Sequence, residues 1–213
     1  MSTRTQSGNH SKRTSGRLRA VAHAELPTRY GRFTIYGFQG RGAEEEAVAL
    51  VRGNLSGKSA PLVRVHSQCL TGDVLTSLRC DCRAQLELSL QKIGRAPSGI
   101  LLYLPQEGRG IGLAHKIHAY KLQEKQGLDT VEANERLGFP ADKREYGVSV
   151  RILTDLGVHS VRLLSNNPRK LVGIEGYGLS VSEWLPLEIP ASDSTRRYLT
   201  TKKEKLGHKL TSV

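Results

Sequence analysis

All three cysteines of this 213-residue chain fall within fourteen residues, CLTGDVLTSLRCDC, from Cys69 to Cys82. Ten residues separate Cys69 from Cys80, and a Thr71-Gly72-Asp73 turn between them can fold the backbone so that the three sulfurs meet at one point. The expected metal is zinc, which favours sulfur and a tetrahedral arrangement; three protein ligands leave the fourth position for water. Two other readings stand beside that one. Zinc could be structural, with His66 as fourth ligand, or the cysteines could be small buried residues that hold nothing. Three thiolates on one divalent ion leave a net negative charge, which acidifies a bound water less than three neutral imidazoles do, so a nearby base or donor is expected to help.

Composition narrows the setting. An odd cysteine count argues against a disulfide framework, and the basic, Ser- and Gly-rich amino terminus lacks the apolar block of a secretory signal. No apolar run approaches the roughly 20 residues of a membrane span. The expectation is a soluble protein in the cytoplasm, where thiols stay reduced. The net charge of +12 raises the question of nucleic acid, but its distribution is uneven. Residues 1–20 carry five Lys or Arg and no acid, and residues 196–209 carry six against the single Glu204, so the long body between is almost neutral. With only 5% aromatic residues to stack on bases, a nucleic-acid partner is not expected. Residues 1–23 read as a basic disordered tail and 24–213 as one domain, large enough to bury a full core.

Order is expected from near Ala24. GRFTIYGF, EEAVALVR and PLVRVH are short β-branched or aliphatic runs between turn residues, and they predict an antiparallel β region in the first third. AQLELSLQKIG predicts a helix ending at Gly94, and GILLYLP a buried strand. GLAHKIHAYKLQEKQG then predicts a helix stopped by Gly127, EYGVSVRILTDLG another, HSVRLLS a strand, and PRKLVGIEGYG a helix opened by Pro168. The fold class is therefore α+β, with antiparallel strands first and alternating strands and helices packed on a mixed sheet.

Three further stretches carry polar chemistry. In PQEGRGIGLAHKIHAY, Gly108, Gly110 and Gly112 let the backbone approach a ligand between a strand and a helix, and Glu107 and Arg109 share the turn. No GK[ST] follows, so this is not a Walker loop, and by itself it reads as an ordinary glycine turn. SNNPRK, residues 165–170, offers a hydroxyl, two amides and two cations at a helix start, as a phosphate site or as a capped helix with solvated cations. Asp142, Lys143 and Arg144 alone read as a solvated loop.

Taken in order, RVHSQCLTGDVLTSLRCDCRAQL, QEGRGIGL, DTVEAN, LGF, ADKREYG, LLSNNPRK and YLTTKKEKLGHKL resemble GTP cyclohydrolase II over roughly residues 24–210. That family performs the first committed step toward riboflavin. The resemblance implies a catalytic Zn²⁺ on Cys69, Cys80 and Cys82, and GTP held by Arg64, Val65, His66, Ser67, Gln68, Gln85, Glu107, Gly108, Arg109, Thr130, Ser165 and Lys170. It assigns catalytic roles to Asp142 and Arg144, sets Tyr120 near the purine, and implies Mg²⁺ with the triphosphate and a homodimer. No dihydroxybutanone phosphate synthase segment is recognisable, which resembles the stand-alone form.

The implied reaction opens the guanine imidazole at C8 with loss of formate and cleaves the bond between the α and β phosphates, leaving 2,5-diamino-6-ribosylamino-4(3H)-pyrimidinone 5′-phosphate. The family records the arginine as a covalent nucleophile; a guanidinium stays protonated, so an electrostatic role is expected for Arg144. Several positions depart from the family pattern: Gln68 for Glu, Arg83 for Gly, His115 for Asn, Ser165 for Thr, and Ser149-Val150-Arg151 for GAQ. They leave an alternative, a specialised paralogue giving a formylated product or feeding another pathway.

Overall fold

Apolar strand segments pair into one seven-stranded sheet in a computed structural model of the chain, which describes residues 19–40, 46–57 and 59–213. Strands β1 (Arg19–Thr28), β2 (Gly31–Gln39) and β3 (Ala47–Arg52) run antiparallel, and β3 continues antiparallel to β5 (Gly99–Leu104). Beyond β5 the pairing turns parallel, through β4 (Leu62–Ser67) and β6 (Ser160–Leu164) to β7 (Ser180–Leu185). The helices are α1 (Leu70–Asp73), α2 (Cys82–Arg95), α3 (Glu107–Gly110), α4 (Leu113–Gln126), α5 (Thr130–Arg136), α6 (Gly147–Asp155), α7 (Pro168–Glu175) and α8 (Asp193–Leu206). The architecture is α+β on a mixed sheet, as the sequence predicts.

Three expectations are corrected. Strand β1 begins at Arg19, paired with Gln39, so the tail does not extend to residue 23; residues 1–18 lie outside the described residues. Strand β4 is parallel to both neighbours, because the chain returns from it to β5 through α2 as a crossover and not as a hairpin. Gly94 lies inside the last turn of α2 and does not end it. The helix stops one residue later, where Ala96 turns extended ahead of Pro97.

Two cores cover opposite faces of the sheet. Val63, Val65, Ile100 and Leu102 pack with Val150 and Leu153 of α6 and Ile174 of α7, while Leu62 and Leu101 pack with Phe33 and with Ile93 of α2. Side chains alternate along a strand, so Arg64 and His66 follow Leu62 onto the α2 face of β4. That alternation sets two polar side chains beside the cysteine loop.

Gly94 offers a test of the packing on that face. A Cβ there would sit 2.0 Å from the Tyr30 carbonyl oxygen. In an open helix Gly→Ala stabilises by about 1 kcal/mol. Here Gly94→Ala is expected to destabilise by about 1–3 kcal/mol, as overpacking does, read as a lower urea midpoint at unchanged slope.

Candidate active site

The carboxyl ends of β4, β5 and β6 open on one cleft, lined by Ser67, Gln68 and Cys69 after β4, Gln106–Arg109 after β5, and Ser165–Asn167 after β6. Ligand sites form at this end of parallel strands because the connections leave a crevice there. The cleft collects Arg64, His66, Ser67, Gln68, Cys69, Cys80, Cys82, Gln85, Glu107, Gly108, Arg109, Tyr120, Thr130, Arg144, Ser165 and Lys170 from the residues singled out in the sequence. Val65 and Asp142 are not in its wall. The Val65 side chain belongs to the core, and its carbonyl accepts from Lys170 Nζ at 2.7 Å.

The ligating sulfurs of Cys69, Cys80 and Cys82 lie within 4.8 Å of one another, with Cys69 and Cys80 3.7 Å apart. A single helical turn, α1, folds the chain back at Thr71-Gly72-Asp73. A Cβ at Gly72 would stand 2.9 Å from the Cys80 sulfur and 3.1 Å from that of Cys69, so only glycine lets the thiols close over this turn. The Asp73 carboxylate fixes the loop to the sheet: it accepts from the Cys69 backbone N–H at 3.0 Å, Tyr103 Oη at 2.9 Å and His66 Nε2 at 3.1 Å. His66 binds Asp73 through Nε2 and is not part of the group of ligand atoms that the three sulfurs form. Hydrogen bonds from Cys80 and Cys82 hold Cys69 far below the usual thiol range, aided by Lys116, while the bond to Cys69 pushes Cys80 up to about 11. Such a group can hold a soft divalent ion.

Beside the sulfurs stands a lysine that sequence reasoning passed over. Lys116 of α4 donates to Cys69 Sγ at 3.1 Å, Thr71 Oγ1 at 2.8 Å and Glu107 Oε1 at 2.6 Å. Thr71 Oγ1 is also 3.1 Å from the Tyr120 hydroxyl, and the Arg79 guanidinium lies 4.8 Å over the Tyr120 ring. Burial raises the Tyr120 phenol above its ordinary value, so it keeps its proton at neutral pH.

The far wall is cationic. Arg144 reaches the cleft with Nη1 3.4 Å from Ser67 Oγ, while Nε and Nη2 bind the two Asp142 oxygens at 2.8 and 2.6 Å. Burial works against both charges, yet the fork holds Asp142 below the carboxylate range and Arg144 above its own. Among the described residues, no carboxylate pairs with Arg64, Arg109 or Lys170. Arg64 Nε and Arg109 Nη2 are buried without a partner. Burial lowers Arg64 to about 10 and Lys170 well below its ordinary value, with Arg64 and Arg144 adding to the effect on Lys170. Two guanidiniums and a lysine without carboxylate partners in one crevice could accept an anion of high charge.

Helix α8 closes one side. Its Lys202 donates to Asp81 Oδ1 at 2.7 Å, and Asp81 also accepts from Gln85, whose Oε1 in turn accepts from Arg64 Nη2 at 2.6 Å. The carboxylate between two cysteines is thus wired to both the last helix and the cation wall. His208, just beyond α8, is pushed down to about 3 by burial and by Lys202, Arg144 and Lys170.

Comparison with known proteins fits this geometry. Residues 19–186 match the family described as GTP cyclohydrolase II. The chain belongs to the GTP cyclohydrolase II family. Among curated relatives, the riboflavin biosynthesis protein RibBA of Endomicrobium trichonymphae is 49% identical over 96% of this chain and 51% of its own length. The RibBA protein of Bacillus mycoides (strain KBAB4) is 56% identical over 87% of this chain and 46% of its own. The chain spans about half the length of the curated relatives it matches. A solved structure, RibBX, a two domain 3,4-dihydroxy-2-butanone 4-phosphate synthase from A. baumannii, aligns over 81% of this chain and 40% of its own at 21% identity and a TM-score of 0.43.

Departures from the GTP cyclohydrolase II pattern separate once they are placed. Arg83 turns from the sulfurs to Glu87 Oε1 at 3.1 Å and the Asp73 carbonyl at 3.2 Å. His115 bonds the Ile111 carbonyl through Nδ1 and meets Phe139 edge-on, and Ser149 is buried in α6. Ser165 accepts from the Asn167 N–H at 3.1 Å. Gln68 and Ser165 are the two that line the cleft.

Lys202→Met leaves Asp81 as an unpaired buried charge. The expected loss is about 3–5 kcal/mol in denaturant unfolding, and adding Asp81→Asn is expected to recover part of it.

Proposed function

We propose that the chain carries out the GTP cyclohydrolase II reaction, hydrolysing GTP to 2,5-diamino-6-ribosylamino-4(3H)-pyrimidinone 5′-phosphate, formate and pyrophosphate in riboflavin biosynthesis. The observation that carries it is one cleft with three converging sulfurs and three cations that lack carboxylate partners. Cys69, Cys80 and Cys82 would hold zinc. Tetrahedral Zn–S bonds of about 2.3 Å set sulfurs about 3.8 Å apart, and the 3.7 Å between Cys69 and Cys80 suits that edge. When bound, the ion supplies a Lewis acid that lowers the pKa of a water at its fourth position.

The chain's own residues do the rest. Tyr120, protonated and next to Thr71, donates or relays a proton at the purine. Arg64, Arg109 and Lys170 take the triphosphate, and Arg144 adds a charge that Asp142 orients from behind. Asp142 acts through Arg144, since both of its oxygens are engaged there. This fork supports an electrostatic role for the arginine. Asp81, Glu107 and Asp142 are all in ion pairs, so Mg²⁺ is proposed to enter on the triphosphate itself. A homodimer is proposed as the assembly; the exposed edge strand β1, with Val21 67% exposed, supports it. No described helix is long and apolar enough to cross a membrane.

Incubation with GTP, Mg²⁺ and Zn²⁺, with formate and pyrophosphate quantified separately, tests the reading. Equal yields are expected, and Cys80→Ser is expected to abolish formate. Pyrophosphate without formate from the unaltered chain would instead favour the paralogue with a formylated product, and would direct attention to Gln68.

Lys170 gives a pH signature. Its value is depressed in the free protein and rises when phosphate arrives, so above the depressed value binding takes up a proton and affinity falls as pH increases toward the ordinary lysine range. Calorimetry of GTP binding in buffers of differing ionisation enthalpy should register that uptake. In Lys170→Met binding is expected to be weaker and the uptake smaller.

A further inference from the structure

The ammonium of Lys116 has three N–H donors and three acceptors, the Cys69 sulfur, the Thr71 hydroxyl and the Glu107 carboxylate. None is left for a ligand, and no lone pair is available for proton abstraction or attack. The side chain is 11% exposed, so its charge acts where water screens little. Glu107 holds it from the opposite side while also accepting from the Leu70 N–H at 2.6 Å and the Gly108 N–H at 3.1 Å, which ties α1, α3 and α4 to one ammonium. Three thiolates on a divalent ion carry one negative charge in excess, and a cation 3.1 Å from one of the sulfurs offsets it.

We propose that Lys116 is a positioning residue for the three-sulfur site, balancing the charge of Cys69 and fixing the sulfur's direction, so that metal affinity and the electron density on that sulfur depend on it. The inference rests on the reading of the cysteines as a metal site.

The test uses the full chain freed of metal and titrated with Co²⁺ against a chromophoric chelator, with the sulfur-to-cobalt charge-transfer band recorded. The unaltered chain should take up one Co²⁺ with a thiolate band. Lys116→Met should bind about tenfold more weakly or worse, the usual cost of losing an outer-shell partner, and its band should move to lower energy as the sulfur loses its donor. Lys116→Arg, which keeps charge and donor, should return both readouts toward the unaltered chain. Should Lys116→Met lose its far-UV circular dichroism, Lys116→Gln is read in its place. A folded neutral variant that binds within about twofold, with an unshifted band, overturns the role of Lys116 and leaves the metal site standing. An unaltered chain that takes up no Co²⁺ or shows no thiolate band overturns the metal reading, and this inference with it.

Discussion

Parallel pairing on both sides of β4 is the constraint from which the site follows. Strand β4 bonds β5 over six residue pairs and meets β6 on its other edge, so all three carboxyl ends emerge at the same rim. Its alternation then divides the labour. Val63 and Val65 are fully buried in one core, while Arg64 and His66 face the other way, toward the cysteine loop. A shift of one residue in register would exchange those faces, bringing two charged or polar groups into an aliphatic core. Chemistry and stability thus share one strand.

Charge in the cleft follows a similar division. Lys116, Arg144 and Lys202 each have a buried carboxylate, which fixes their direction. Arg64, Arg109 and Lys170 have none, and their burial is costly in the absence of an anion. Part of the cost is met by backbone carbonyls: Leu164 for Arg64, Ala141 for Arg109, Val65 for Lys170. On the proposed reading, stability and anion affinity are therefore opposed at these three positions, and the paired cations hold the frame around them.

Much of this was legible before the fold was known. The spacing of Cys69, Cys80 and Cys82 announced a cluster, and Gly108 announced a turn that is left-handed at φ 60°. Arg109 takes the same conformation without being glycine, at φ 64°, a strain that appears only in the backbone. Other features left weaker marks. Asp129 and Glu132 form a capping box for α5, a signal present in DTVEAN but absorbed there into a family motif. Lys116 and Lys202 look like any solvated lysine on a helix, since periodicity assigns a face and says nothing of which acid lies across it. The early residues of β1 hid for a different reason: they are exposed on both faces, so no alternation marks them.

The departures from the family pattern gain different weights once packing is considered. Judged by the resemblance alone, Arg83 and Gln68 both make the surroundings of the three cysteines more positive. Yet the Arg83 guanidinium turns to Glu87 at 3.1 Å, four residues along the same helix, a carboxylate that Arg29 also binds. Gln68 lines the cleft wall as a neutral carboxamide, where the resemblance implies a carboxylate. Of the two, Gln68 alone lines the cleft, so on the proposed reading it is the departure that bears on the charge of the site.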